Sequence, residues 1–172
     1  MHFSRFLALT AAILASHVVG AQLCESPIML CYNAPNSVPQ DVTVEDIQFV
    51  ASYLRAYGAE TQAGRQYTMT ADGAPNCAEW TLYSHGTVVA LAQHINSTAD
   101  SSVLYADIAN TIDGGVNATA GQKAASLIGC GTTGGSVGVV YNASNAEYNT
   151  AAYLANRYTP TGILIKIVNS GA

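Results

Sequence analysis

The chain has 172 residues, a formal net charge of −5 at pH 7 and a charged fraction of only 10%. Six of its residues are lysine or arginine, against eleven that are acidic. Because affinity for nucleic acids or anionic lipids rests on clustered basic side chains, this composition argues against a partner of either kind.

The chain begins with the pattern of a secretory signal peptide. Arg5 supplies a basic start, an apolar stretch runs from Phe6 to Val19, and small residues lead up to Ala21. The apolar stretch is shorter than the roughly 20 residues that a membrane-spanning helix needs. We therefore expect cleavage after Ala21, which removes residues 1–21 and releases a secreted, extracellular protein without a membrane anchor. Residues 22–172 then suit a single domain with a hydrophobic core.

Four cysteines lie in the predicted mature chain, at positions Cys24, Cys31, Cys77 and Cys130. An even number of cysteines in an exported chain predicts two disulfides, for which three connectivities are possible. Their spacing lacks the paired Cys-x-x-Cys elements of a zinc site, so we expect neither a metal nor another cofactor.

Three Asn-x-Ser/Thr sequons begin at Asn96, Asn117 and Asn142. Each lies beside a predicted turn or element end, where the glycosylating enzyme has access to the chain. We therefore predict a glycoprotein that carries glycan on at least one of these asparagines. The glycan would also help to keep a weakly charged surface in solution.

The first predicted element of the mature chain is an irregular arm over residues 22–41, which contain three prolines and two cysteines. A helix is predicted over residues 44–57, because apolar side chains recur there every three or four positions. Thr43 is the predicted N-cap, acidic residues occupy the first turn, and Gly58 is placed to end the helix.

Three strands are predicted next, over residues 66–70, 78–84 and 87–95, from β-branched and aromatic residues bounded by turn residues. The turn Ser84-His85-Gly86 joins the last two into a hairpin. Its glycine supplies the positive φ that tight hairpin turns require.

The remaining pattern predicts three further helices and two strands: helices over 103–112, 120–128 and 149–157, and strands over 136–141 and 162–169. Ser102 is the predicted N-cap of the first helix, and Thr119 with Gln122 has the spacing of a capping box for the second. The glycine-rich residues 129–136 are predicted to be a flexible turn. The last strand is apolar on both faces, which favours a place in the middle of a sheet.

This order of elements predicts an α+β fold, a two-layer α/β sandwich with a mainly antiparallel sheet and helices on one face. It resembles the killer-toxin-like family of small secreted fungal proteins, which includes the smut-fungus killer toxin. The matching features are a cysteine pair at 24–31, Cys77 ahead of a strand at 87–93, a helix leading into 128–131, and a closing strand at 162–168.

The resemblance implies that Cys24 and Cys31 of the arm are bridged to Cys77 and Cys130 in the body. It also implies inhibition of fungal or plant-root growth through binding rather than catalysis. The typical toxin interferes with calcium uptake through a basic surface, whereas this chain is acidic, so the wider group of secreted fungal effectors with related folds suits it better. We expect a monomer that binds an unidentified protein or cell-surface target in virulence or competition.

Two alternative functions remain open. In a small secreted ribonuclease, His85 and His94 would act with Glu79, which requires all three side chains on one surface. Strand alternation separates the two histidines, so structural roles for both are favoured. In a cell-wall carbohydrate-binding module, Trp80 and some of the ten tyrosines would form a stacking platform, although aromatic residues in a β-rich protein more often pack internally.

Overall fold

The computed structural model describes residues 24–75 and 77–171, and the predicted signal peptide lies outside them. The elements follow in chain order: β1 (Leu30–Cys31), α1 (Val44–Gly58), β2 (Gln66–Met69), β3 (Glu79–His85), β4 (Val88–His94), β5 (Ser101–Leu104), α2 (Tyr105–Asp113), α3 (Ala120–Ala124), a 3-10 segment (Leu127–Thr133), β6 (Gly135–Gly138), a second 3-10 segment (Ala146–Asn149), α4 (Ala151–Ala155) and β7 (Ile163–Asn169).

Five strands form the main sheet, in the order β1-β6-β7-β4-β3, and every neighbouring pair is antiparallel. Strands β2 and β5 form a separate antiparallel ribbon. The α+β class and the mainly antiparallel sheet are therefore confirmed. The central position predicted for the last strand is also correct, because β7 lies between β6 and β4.

The core lies between the main sheet and helices α1 and α2. In the sheet, Ala90 of β4 pairs with Ile167 of β7, and Ala92 pairs with Ile165, so these four side chains share the buried face. The helices close over this face with fully buried apolar residues: Ile47, Val50, Ala51 and Leu54 from α1, and Ile108, Ala109 and Ile112 from α2. The three-and-four spacing that predicted α1 is thus the spacing of its core face.

Helix α1 begins where the sequence predicts, because the Thr43 hydroxyl accepts a hydrogen bond from the Asp46 backbone N–H. Its last residue, Gly58, lies against the start of α2, where a Cβ would be 2.8 Å from the Tyr105 Cβ. A side chain at this position would push the two helices apart.

The predicted helix over 103–112 starts later than expected, because residues 101–104 form strand β5 instead. The hydroxyl of Ser102, predicted to cap the helix, lies 2.8 Å from the Thr68 hydroxyl in the β2–β5 ribbon. The residue before α2 is Leu104, which offers no capping side chain. The small polar residues here satisfy buried strand contacts, a use that the capping rule does not distinguish from helix initiation.

The predicted helix over 120–128 is divided in two. Thr119 and Gln122 form the expected capping box, but α3 ends at Ala124, which is exposed rather than in the core. The chain continues as a 3-10 segment that buries Leu127 and Ile128 and runs through most of the glycine-rich residues predicted as a turn.

Two disulfides, Cys24–Cys77 and Cys31–Cys130, connect the amino-terminal arm to the body. Both arm cysteines are used in this way, which excludes a ring closed within the arm. Backbone hydrogen bonds add to the attachment, since Gln40 N–H donates to the Thr133 carbonyl. The arm therefore belongs to the folded domain.

Candidate binding surface

The residues of the ribonuclease hypothesis lie at different places in the β3–β4 hairpin. His94 is fully buried, with Nδ1 2.6 Å from the Ala74 carbonyl oxygen and Nε2 3.2 Å from the Ser101 hydroxyl. His85 lies at the other end of the hairpin, where its side chain is 40% exposed. Glu79 and His85 are six positions apart along strand β3, a distance of about 20 Å.

Glu79 is also engaged. Its Oε1 lies 2.8 Å from the Lys166 Nζ and accepts a hydrogen bond from the Gln93 side chain. Both ring nitrogens of His94 have partners in the interior. The structure therefore does not bring Glu79, His85 and His94 onto one surface.

Lys166 is the centre of an ionic cluster on the sheet face opposite the helices. Its Nζ lies 2.7 Å from Glu25 Oε1 in the arm and 2.8 Å from Glu79 Oε1 in β3. Burial opposes the charge of Lys166, but the two carboxylates outweigh it and raise the pKa of this lysine. Burial likewise works against ionised Glu25, yet its ion pair with Lys166 lowers the pKa of this carboxyl overall. The cluster joins the arm to the sheet, with one lysine shared between two carboxylates.

A row of aromatic side chains lies along the outer side of α1, where the helix meets the edge strand β3. Phe49, Tyr53 and Tyr57 are spaced four residues apart and so project from one side of the helix. Phe49 stacks on His85 with ring centroids 3.7 Å apart, and Tyr53 stacks on Tyr83 at 3.6 Å. We call these five residues the aromatic surface.

The aromatic surface is open to solvent. Phe49 is 46% exposed and Tyr53 is 39% exposed, although both are stacked on a ring from β3. Trp80, which is 40% exposed, lies on the same strand. Its register partner Ala92 and the Tyr83 partner Ala90 are both buried in the core, which places Trp80 on the same side of β3 as Tyr83. Large aromatic side chains therefore extend along both elements.

The aromatic surface arises because α1 carries two stripes and β3 is an edge strand. The apolar stripe of α1 packs on the sheet, and the aromatic stripe beside it lies over β3. Among the described residues, no further strand pairs with the outer edge of β3. A register shift between Thr81 and Tyr83 interrupts the regular pairing of β3. Such bulges at an edge discourage addition of another strand, which leaves the side chains as the accessible feature.

Sequence reasoning missed this surface. It favoured interior packing for the tyrosines, and it did not single out Phe49 or Tyr53. The signal was present in the predicted helix over 44–57, where Phe49, Tyr53 and Tyr57 recur at intervals of four. Of these three residues, Tyr57 also belongs to the stripe that predicts the core. The contribution of Tyr83 and His85 depends on the strand register, which the sequence does not provide.

An acidic side chain lies at each end of the aromatic surface. At one end, His85 Nε2 lies 3.8 Å from Asp46 Oδ1. Asp46 also accepts hydrogen bonds from the backbone N–H and the hydroxyl of Thr87, and these bonds lower the pKa of this carboxyl. At the other end, the Arg65 guanidinium lies 3.8 Å above the Tyr57 ring and pairs with a carboxylate oxygen of Glu60.

The other predicted features do not contribute to the aromatic surface. All three sequon asparagines are exposed, and none belongs to α1 or β3. Across residues 24–75 and 77–171, no three histidine, cysteine or acidic side chains cluster as metal ligands would. Within the same residues, no helix combines the length and hydropathy needed to cross a bilayer.

Comparison with known proteins identifies no relative: no protein-family model, curated protein or solved structure matches this chain.

Proposed function

We propose that this protein is a secreted, extracellular binding protein of the killer-toxin-like or effector type, and that its target on competing or host cells docks on the aromatic surface. The observation that carries the proposal is the exposure of Phe49 and Tyr53 on a rigid helix, each stacked on a ring from β3.

Exposed aromatic side chains are the residue class most enriched at the energetic centres of protein interfaces. Stacking fixes these rings before a target arrives, so less side-chain entropy is lost on binding than for free side chains. The two supporting elements, α1 and β3, are anchored in the core, which holds the rings at defined positions.

The state of the candidate catalytic groups also favours binding over catalysis. A secreted ribonuclease needs an accessible acid and base within reach of one substrate. Here His94 is enclosed by Ala74 and Ser101, and Glu79 is paired with Lys166. An RNA-cleavage assay on the purified, oxidised protein is expected to give no turnover.

The proposal is tested with a double variant, Phe49→Ala with Tyr53→Ala, and a control variant, Leu154→Ala. Leu154 lies in α4 and is 59% exposed, so its truncation also removes exposed apolar surface, but outside the aromatic surface. Each purified protein is applied to fungal and plant cells, and growth inhibition is measured after circular dichroism has verified folding. We expect inhibition by the wild type and the control, and loss of inhibition by the double variant.

Two results would contradict the proposal. Equal inhibition by the folded double variant would show that the aromatic surface is not used. RNA turnover that disappears in a folded His85→Ala variant would assign the effect to catalysis.

Sedimentation with insoluble chitin or glucan examines the carbohydrate alternative. If the target is a protein, the wild type remains in the supernatant. If the wild type co-sediments with the polysaccharide and the double variant does not, the target is a wall polysaccharide instead.

A further inference from the structure

A cavity of about 420 Å³ lies at the end of the main sheet where β6 stops and β7 starts. This volume is within the range of roughly 300–1,000 Å³ that small-molecule sites occupy. No charged side chain belongs to its lining, and most of the side chains there are apolar: Pro27, Ile95, Val139 and Ile163. The cavity therefore favours a neutral, compact ligand that offers apolar contact.

The lining of this cavity runs from the protein interior to its surface. Ile163 is buried, Ile95 and Val139 are half-buried, and Pro27 is exposed at the rim. The half-buried side chains leave apolar surface in contact with water, and covering that surface is favourable because apolar area is removed from water. A ligand that enters the cavity therefore gains free energy from contact with these side chains.

Asn96, the asparagine of the first sequon, is exposed and belongs to the lining of this cavity. Its place is fixed by the chain that precedes β7. The Ile95 backbone N–H donates to the Gly162 carbonyl at 2.9 Å, and a Cβ added to Gly162 would lie 3.0 Å from the Asn96 Cβ. Asn96 thus packs directly against a lining residue, so a group attached to its side chain starts at the mouth of the cavity.

The hydrogen bonding of Asn96 leaves the atom that carries a glycan accessible. Thr98, the third residue of the sequon, donates from Oγ1 to Asn96 Oδ1 at 2.9 Å. This bond uses the amide oxygen and leaves Nδ2, the atom to which N-linked sugars are attached. The other two sequon asparagines lie outside the cavity lining, and in the sequon of Asn117 the Thr119 side chain forms the capping box of α3. Asn96 is therefore the sequon at which an attachment point and this cavity coincide.

We propose that Asn96 carries an N-linked glycan whose first N-acetylglucosamine folds back into this cavity. Attachment forms a bond between the anomeric carbon of that sugar and Asn96 Nδ2; the lipid-linked diphosphate leaves the sugar, and the nitrogen releases one proton. The sugar is neutral and compact, and its acetyl methyl and C–H groups contact Val139 and Ile163 while its hydroxyl groups face Thr161 and solvent. The cavity shares no lining residue with the aromatic surface, so this site is separate from target binding.

The first test locates the sugar directly. The protein is secreted from cultured eukaryotic cells with Asn117→Gln and Asn142→Gln, which leave Asn96 as the remaining sequon, and endoglycosidase H then trims the glycan to one N-acetylglucosamine. We expect nuclear Overhauser effects between the acetyl methyl of this sugar and the methyl groups of Val139 and Ile163. An unmodified Asn96 in the peptide mass spectrum would refute the proposal. A glycosylated Asn96 without these contacts would also refute it and would leave the cavity open to an external ligand.

Melting temperatures of matched variants test whether the contact stabilises the protein. Thr98→Val removes the sequon with little change of shape and should melt about 2–4 °C below the glycosylated wild type. Thr98→Ser retains the sequon and should melt with the wild type, as should wild type trimmed to one sugar. Asn142→Gln removes a glycan site outside the cavity lining and should leave the melting temperature unchanged. Equal melting of glycosylated Thr98→Ser and Thr98→Val would refute the contact.

The effect of the sugar is separated from that of the substitution by producing the same two Thr98 variants in the bacterial periplasm, where disulfides form and this glycan is not added. There Thr98→Val and Thr98→Ser should have equal melting temperatures. A deficit of Thr98→Val that persists without glycan would assign the loss to the hydrogen bond between Thr98 and Asn96 and overturn the role of the sugar. If Thr98→Val does not fold, the nuclear Overhauser measurement still decides the proposal, because it retains both Asn96 and Thr98.

Discussion

Two buried tyrosine hydroxyls differ in their hydrogen bonding, so the same substitution can be compared with and without hydrogen-bond partners. The Tyr148 hydroxyl donates a hydrogen bond to Asp107 Oδ2 at 2.6 Å and accepts one from the Leu104 backbone N–H at 2.9 Å. The Tyr67 hydroxyl is also buried but has no hydrogen-bond partner among the described residues. Replacing each tyrosine with phenylalanine removes one oxygen and leaves the ring in place.

We expect Tyr148→Phe to destabilise the protein by about 2–4 kcal/mol, because it leaves the Leu104 N–H unpaired and removes a bond to a buried carboxylate. Asp107 would retain the longer hydrogen bond from the Asn142 backbone N–H, at 3.3 Å. Tyr67→Phe removes a hydroxyl that is desolvated without compensation, so its expected effect lies between no change and a gain of about 1 kcal/mol.

The measurement is urea-induced unfolding of the oxidised protein, followed by far-UV circular dichroism. The free energies of unfolding of the three proteins are compared with a common m-value. The wild type and the two variants are measured at pH 7, well below the ordinary tyrosine pKa of about 10. Burial raises the pKa of both tyrosines further, so both hydroxyls are neutral in the assay. Equal destabilisation by the two changes would refute the reasoning, since it would show that loss of the hydroxyl alone, rather than loss of its partners, sets the cost.

Three further predictions concern stability. Glu25→Gln should lower the melting temperature most near neutral pH, and the difference from the wild type should shrink as the pH falls below 4.5. The reason is that a carboxyl whose pKa is lowered in the folded state stabilises the protein only while it is ionised. Thermal melts across the pH range measure this difference. Gly58→Ala should lower the free energy of unfolding by about 1–3 kcal/mol, although alanine has the better helix propensity. The reason is that the added Cβ would lie 2.8 Å from the Tyr105 Cβ. A melting temperature at or above that of the wild type would contradict this prediction. Replacing Cys31 and Cys130 together by alanine removes a cross-link between residues 99 positions apart. The free energy of unfolding in urea should fall by about 4 kcal/mol. A loss below about 1 kcal/mol would mean that the other contacts of the arm are sufficient to hold it on the domain.

Periodicity and turn residues correctly predicted the elements in which the pattern that favours the local structure also makes the tertiary contacts. Helix α1 is the clearest example, because the same spacing that marks its core face also packs on the sheet, and Thr43 caps it as expected. The hairpin is another, with Gly86 at a φ of +53° between β3 and β4. The apolar residues on both faces of the last strand correctly predicted its central place in the sheet.

The sequence was less informative where tertiary contacts decide what a polar or aromatic residue does. Ser102 has the features of an N-cap, yet its hydroxyl contacts Thr68 across a ribbon that only the fold creates. His94 belongs to a candidate catalytic pair by composition, but its partners Ala74 and Ser101 come from segments that the fold brings to it. The aromatic surface likewise combines a helix stripe with strand residues whose pairing depends on register.

The central claim, that the aromatic surface binds the target, is tested most directly by a binding isotherm on intact cells. Labelled wild type, the Phe49→Ala and Tyr53→Ala double variant, and the Leu154→Ala control are titrated onto the cell type that shows growth inhibition. The account predicts saturable binding by the wild type and the control, and an affinity at least about tenfold lower for the double variant, since aromatic hot spots commonly contribute 2 kcal/mol or more. Binding by the folded double variant with wild-type affinity would contradict it.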